Sequence, residues 1–324
     1  MALAANALTT IATMEGELGV TTGSDDAFLT RLINAASDRI EEYCGHSFYY
    51  AAAEEEDLGG FGGFYLRVSR TPLLTIALIE YDGETIDSSN YEIDTPGAGM
   101  IRSLGGFNWT AGSWQGITPE PIPGTERKLY AVTYAGGYLT PEQSKAKGTL
   151  TFTGQPANNE TMVINNTTIT AKTTGAITDQ FNIGASVRAT LDNLVTAINE
   201  GTEADVVRAE RVNLTVIVEW REPGTDGDSV VFTEAFGNCT IDGGGTLGGT
   251  QAGAVRTLPY AVEDACIQLT TKRYRKKGKD PSVKSRRLLS HSETFGGSSD
   301  SDNIQGLPIE IAQMLNPYRI LAQA

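Results

Sequence analysis

The chain has 324 residues, 40% of them hydrophobic, enough for one large core or two ordinary ones and too apolar for a disordered tail. Its formal charge is −15, and no apolar run approaches the ~20 residues that cross a bilayer, so no membrane partner is expected. Three cysteines (Cys44, Cys239, Cys266) without CxxC spacing argue against both a disulfide framework and a zinc site.

The start, Met1-Ala2-Leu3-Ala4-Ala5-Asn6, lacks a basic region and a long apolar stretch, so a signal peptide is not expected and synthesis in a cytoplasm is. Thr9 to Leu18 reads as a short helix ended by Gly19. A stronger helix follows, with Ser24 as N-cap and Asp25-Asp26 at the positive end of its dipole. Phe28, Leu29, Leu32, Ile33, Ala36, Ile40 and Tyr43 repeat on one face, and Gly45 supplies a stop.

Glu54-Glu55-Glu56-Asp57 and Gly59-Gly60-Phe61-Gly62-Gly63 read as an exposed loop, a solvated acidic face. Strands are predicted around Phe64–Val68, Ile76–Ile79, Tyr91–Asp94, Met100–Arg102 and Leu129–Tyr134, and Tyr81-Asp82-Gly83-Glu84 signals a hairpin.

From Lys147 to Gly253 the chain is rich in Thr, Asn and Gly. Short strands are predicted at Thr149–Phe152, Met162–Ile164, Thr168–Ala171, Leu214–Val218 and Ser229–Thr233. A helix interrupts them, capped by Ser186 and stopped by Gly201. The run Asp242-Gly243-Gly244-Gly245-Thr246-Leu247-Gly248-Gly249 reads as a flexible tether, and Asp226-Gly227-Asp228 as a simple turn. Helical material returns at Pro259, with Val262, Ala265, Cys266 and Leu269 as its stripe. A polar stretch from Ser290 to Gly306 precedes a last short helix, opened by Leu307-Pro308 and closed by Asn316-Pro317.

Charge is uneven. Lys272, Arg273, Arg275, Lys276, Lys277, Lys279, Lys284, Arg286 and Arg287 share their segment with one acid, Asp280. The segment is +8 and the rest of the chain −23. So acidic a body repels phosphates instead of releasing their counterions, and suits a wall along which DNA slides. The basic run itself has three readings: a solvated helix end, a docking surface for an acidic protein, or a contact with DNA phosphates. Catalytic constellations are missing. The histidines are His46, beside a helix stop, and His291, in a polar stretch. There is no GxSxG elbow, HExxH, Walker A or GxGxxG after a strand, so neither an enzyme nor a cofactor is expected.

Removing Lys147–Gly253 joins Tyr134-Ala135-Gly136-Gly137-Tyr138 to Leu258-Pro259-Tyr260. That order, together with Asp25-Asp26, Ile40-Glu41-Glu42-Tyr43-Cys44-Gly45-His46, Pro72, Tyr81-Asp82-Gly83, Tyr91-x-x-Asp94 and Leu307-Pro308…Leu315-x-Pro317-Tyr318-Arg319, resembles the head-tail connector (adaptor) proteins of tailed bacteriophages. The resemblance covers about two thirds of the chain. The stretch from Thr151-Phe152-Thr153-Gly154 to Ala197-Ile198-Asn199 resembles a module that recurs in phage structural proteins.

The resemblance implies an α+β chain. A mainly helical connector core with a small antiparallel sheet would occupy 1–146 and 254–324, and 147–253 would form an inserted β-rich (α+β) domain. It further implies a homo-oligomeric ring, a dodecamer matching the portal, in the virion neck between portal protein and a tail-completion or stopper protein. DNA would pass through its channel during packaging retention and ejection without sequence recognition. Phe28, Leu32, Ile40, Val262 and Leu269 are expected in subunit packing, and the nine basic residues in contact with portal or DNA. The competing reading is a decoration or adhesion protein whose inserted domain binds a capsid, tail or cell-surface ligand.

Overall fold

The computed structural model describes residues 3–21, 23, 25–59, 63–81, 83–104, 130–242, 244–277, 285–288, 291–294, 303–304 and 306–320. Helix α1 (Ile11–Leu18) begins where the Thr10 hydroxyl accepts the Thr13 N–H at 3.1 Å, and ends at Gly19 in the left-handed conformation (φ 63°). Helix α2 (Asp26–Cys44) buries Leu29, Ile33, Ala36, Ile40 and Cys44 along one stripe, as the spacing predicts. Ser24, its predicted N-cap, lies outside the described residues.

Seven strands follow: β1 (Ala51–Leu58), β2 (Tyr65–Arg67), β3 (Leu73–Tyr81), β4 (Glu84–Thr85), β5 (Tyr91–Thr95), β6 (Met100–Ser103) and β7 (Tyr130–Gly136). Next come β8 (Lys147–Phe152), β9 (Thr161–Ile164), β10 (Thr167–Lys172), β11 (Gln180–Asn182), α3 (Val187–Asn199), β12 (Val207–Val212), β13 (Thr215–Trp220), β14 (Phe232–Glu234) and β15 (Cys239–Asp242). The chain closes with α4 (Tyr260–Tyr274), β16 (Ser285–Leu288), β17 (His291–Thr294), β18 (Asn303–Ile304), β19 (Leu307–Pro308) and α5 (Ile309–Leu315).

The chain divides into two compact units. One joins Met1–Asp38 to Leu139–Met314, the other Arg39–Tyr138 to Leu315–Ala324. In the first unit lie two four-stranded sheets, ordered β12-β13-β8-β15 and β11-β10-β9-β14. Their apolar faces and α3 share a core that includes Leu150, Phe152, Met162, Leu194, Val218 and Phe232. The Ser186 hydroxyl caps α3 by accepting the Ala189 N–H at 3.2 Å. At the other end Asn199 exchanges two hydrogen bonds with the backbone of Ala209, at 2.9 and 2.7 Å, which covers the outer edge of β12. At the start of β8 and after β15 the chain meets itself, where Lys147 and Gln251 exchange backbone bonds of 2.9 and 3.1 Å. In the same unit α1 packs on α4.

The Gly-rich run predicted as a free tether is packed instead. Leu247 is fully buried in the sandwich core, and its N–H and the Gly245 carbonyl bond to residues 230 and 232.

The second unit holds the four-stranded sheet β1-β7-β3-β4 and the three-stranded sheet β2-β6-β5, around Leu66, Val68, Leu73, Ile79, Val132 and Tyr134. β3 and β4 pair Glu80 with Thr85 and Tyr81 with Glu84, as the hairpin signal predicts.

These sheets correct the expected fold class. The chain is α+β, but its core outside 147–253 is not mainly helical with one small sheet; strands β1–β7 make it strand-rich. The expected strands pair into two sheets instead of one small one, and Glu54–Asp57, expected as a loop, adds a further strand. Alternation turns Glu54 and Glu56 inward, where Arg70 and the Tyr134 hydroxyl meet their carboxylates at 3.0 and 2.9 Å. The acids thereby tolerate a strand paired with β7.

Candidate functional site

Helix α4 needs no side-chain cap: Pro259 precedes its first turn, and cations follow its negative end. Those cations open the basic run. Lys277 reaches Asp25, just before α2, with Nζ 2.6 Å from Oδ1, and the Tyr274 hydroxyl donates to the same carboxylate. Lys277 also lies over the rings of Phe28 and Tyr274, at 5.1 and 5.5 Å from their centroids. The Lys277 ammonium, then the Tyr274 hydroxyl, hold the Asp25 carboxyl below its ordinary range, and Asp25 raises Lys277. Lys272 pairs with Glu310 at 3.0 Å, both side chains exposed.

Arg275 and Lys276 project into solvent, and Arg273 is half-buried. Lys279 and Lys284 lie outside the described residues. Arg286 and Arg287 fall on β16, opposite Glu293 and Ser292 of β17 in backbone register. The structure therefore gathers Lys272 to Lys277 at one helix end and gives two of its cations to acids of the same chain. Of the residues expected in subunit packing, Leu32, Ile40, Val262 and Leu269 are buried within a single chain, and Phe28 is half-buried beside Tyr274.

Sequence reasoning missed a second charged cluster. Lys145 bonds Glu142 at 2.8 Å and Glu219 at 3.0 Å, and Lys147 meets the same two carboxylates at 2.8 and 3.4 Å. Arg208 joins Glu219 at 3.7 Å to Asp26 at 3.2 Å. Burial pushes the Glu142 carboxyl up, but Lys145 and Lys147 outweigh it and hold the group well below the usual range. Close by, Arg221 pairs with buried Glu15 at 3.2 Å. Burial raises the Glu15 carboxyl, only partly offset by the Gly23 N–H and Arg221. The available signal was the placing of Lys147, Arg208 and Glu219 on adjoining strands, but that adjacency is tertiary. A cleft of about 650 Å³ beside this cluster is lined by Asp26, Arg208, Glu210, Arg211 and Arg221 among others. Arg211 is held by Asp192 at 2.6 Å, so the cleft's arginines are committed to carboxylates.

In the other unit the Tyr134-Ala135-Gly136-Gly137-Tyr138 turn is structural. The Tyr134 hydroxyl donates to Glu56 and accepts the Arg70 N–H, and the Arg70 side chain lies 4.1 Å from the Tyr49 ring centroid. A Cβ on Gly137 (φ 92°) would stand 2.3 Å from the Tyr49 carbonyl oxygen. His46 is buried, with Nε2 2.9 Å from the Tyr318 carbonyl oxygen, and burial lowers its pKa. It fastens residue 318 to the end of α2, alongside the Ile320 N–H bond to the Cys44 carbonyl at 2.8 Å. Burial pushes the Cys44 and Cys239 thiols up to about 12 and Cys266 up to about 11. Among the described residues no group of three metal-ligating side chains occurs, and no helix is long and apolar enough to cross a membrane.

No curated protein matches the chain. Residues 9–93, from the approach to α1 into β5, match the family model described as phage gp6-like head-tail connector protein. The match takes in Asp25-Asp26, the Tyr43-Cys44-Gly45-His46 stop and the acidic strand β1, while the 130–138 turn, the 147–253 stretch and α4 lie beyond it. Over residues 9–93, about a quarter of its length, the chain is similar to the phage gp6-like head-tail connector proteins.

Proposed function

We propose that the protein is a ring subunit of the phage neck, seated between the portal protein and a tail-completion or stopper protein. The observation that carries this reading is the family match over residues 9–93. Two physical features support it. A body of net −23 lines a conduit well, because repulsion of phosphates keeps DNA from adhering as it passes. The +8 segment provides a local contrary charge for docking, with Lys279, Lys284, Arg286 and Arg287 meeting acidic groups of the portal.

The ring is a dodecamer matched to the portal, built in the host cytoplasm and kept in the virion. Its subunits act by assembly and positioning; the buried, paired state of Lys145, Glu142, Glu219 and Arg208 suits a scaffold. Negative-stain imaging of the purified protein, alone and with portal, tests this. Rings with a central hole that stack on portal are expected. A compact monomer that ignores portal overturns it.

A further inference from the structure

The sheet β1-β7-β3-β4 has one face turned to its core and one turned away. On the outward face Glu55 stands opposite Thr133, and Asp57 opposite Ala131; on the far side of β7, Leu78 and Glu80 face the same two residues. Directly paired residues share a face, so Glu55, Asp57 and Glu80 surround a floor of Ala131, Thr133 and Leu78. Glu54 and Glu56 point the other way, Glu54 paired with Arg70 and Glu56 accepting the Tyr134 hydroxyl. Glu55 and Asp57 are exposed, and no cation among the described residues pairs with either. β1 is also the sheet's edge, so nothing in this sheet lies beyond it.

The end of α4 is the counterpart. Asp25 and Glu310 take Lys277 and Lys272, while Arg275 and Lys276 are exposed and have no carboxylate partner among the described residues. The floor of small and half-buried residues accepts the aliphatic stems of an Arg and a Lys while their heads meet the surrounding acids.

We propose that these are two halves of one contact between copies: the Arg275–Lys276 end of α4 in one copy docks on the Glu55/Asp57/Glu80 sheet face of the next. Two different patches of one chain that complement each other form a heterologous interface, which generates a ring where the rotation between copies closes. The inference rests on the ring reading above and gives its subunit contact named residues. An acidic patch and a basic patch on the same molecule also explain how a chain of net −15 self-associates despite general repulsion.

A charge-exchange series tests it on the full chain, read by light scattering after size exclusion, with thermal melts as a folding control. Glu55→Lys with Asp57→Lys, and separately Arg275→Glu with Lys276→Glu, should each weaken self-association by about tenfold or more. Uniting all four substitutions should recover most of the loss, because the charges again oppose one another across the contact. Assembly of both pairs like the unsubstituted protein, or no recovery in the combined variant, overturns the contact while leaving the ring reading intact. A protein that stays monomeric at every concentration, yet still binds portal, overturns the contact as well. So does a loss confined to DNA retention when Arg275 and Lys276 are reversed, which would assign them to phosphates instead.

Discussion

Lys277, just past the end of α4, places its ammonium 2.6 Å from the carboxylate of Asp25, just before α2 begins. The next residue, Asp26, turns to Arg208 of β12 at 3.2 Å. Two neighbouring aspartates thus tie one helix start to two remote parts of the same unit, one at the basic run and one at the sandwich. The first tie is partly exposed and the second largely buried, so they answer differently to salt and to mutation.

Asp25→Asn should lower the melting temperature only slightly, and the difference from the unsubstituted protein should vanish as salt approaches about 1 M, where screening shortens to about 3 Å. Thermal melts over a salt series check this. A loss that persists at high salt would mean the contact is not chiefly electrostatic.

Glu219→Ala leaves Lys145 and Arg208 short of a counter-charge in a buried setting, because Glu219 is shared by Lys145, Lys147 and Arg208. The expected cost is about 3–5 kcal/mol, measured by urea unfolding. A cost below about 1 kcal/mol would place the cluster in effective contact with solvent.

The lowered Glu142 carboxyl makes acid stability readable. A carboxyl whose folded pKa is depressed contributes stability that is fully present above its unfolded value, about 4.5, and is lost as pH falls toward the folded one. Glu142→Gln should therefore be less stable than the unsubstituted protein at pH 7, and the gap should narrow below about pH 4.5. Unfolding curves across that interval decide it; a gap constant with pH would detach Glu142 from the acid response.

Gly137→Ala combines a positive φ of 92° with a Cβ 2.3 Å from the Tyr49 carbonyl oxygen, so the backbone itself must shift. Destabilisation of at least about 2 kcal/mol is expected. Soluble expression and the melting temperature report it, and a neutral substitution would refute the tight turn.

Leu247→Ala should cost about 2–5 kcal/mol, the penalty of a core cavity, if the Gly-rich run is part of the sandwich as its complete burial indicates. A surface tether would lose almost nothing by the same change, and urea unfolding separates the two.

Local signals carried the helices well. The Ser186 cap, the Pro259 start and the stripe of α2 all depend on residues near in sequence, and each element forms where its spacing places it. Strands hidden under charge were harder to see. Val207–Val212 contains Arg208, Glu210 and Arg211, and becomes β12 because Asp26, Glu219 and Asp192 neutralise two of those charges from other elements. Glu54–Asp57 misled for the same reason, since Arg70 lies 16 positions from Glu54 and Tyr134 78 positions from Glu56. Glycine density suggested slack at Asp242–Gly249, whereas one leucine anchors it. The basic run was plain in the sequence, but its division into satisfied and unsatisfied cations depends on Asp25 and Glu310.

The bonded pair Lys147–Gln251 draws together the two ends of a long stretch of chain. A detour of about a hundred residues departs and rejoins at points no farther apart than neighbouring strands. The stretch is not independent of the rest of its unit, since Arg208 pairs with Asp26 and Arg221 with Glu15. What the junction fixes is polarity, since Glu142, Lys145 and Asp26 meet Glu219 and Arg208 there. A change that removed those partners would strand bare charges where the strands meet.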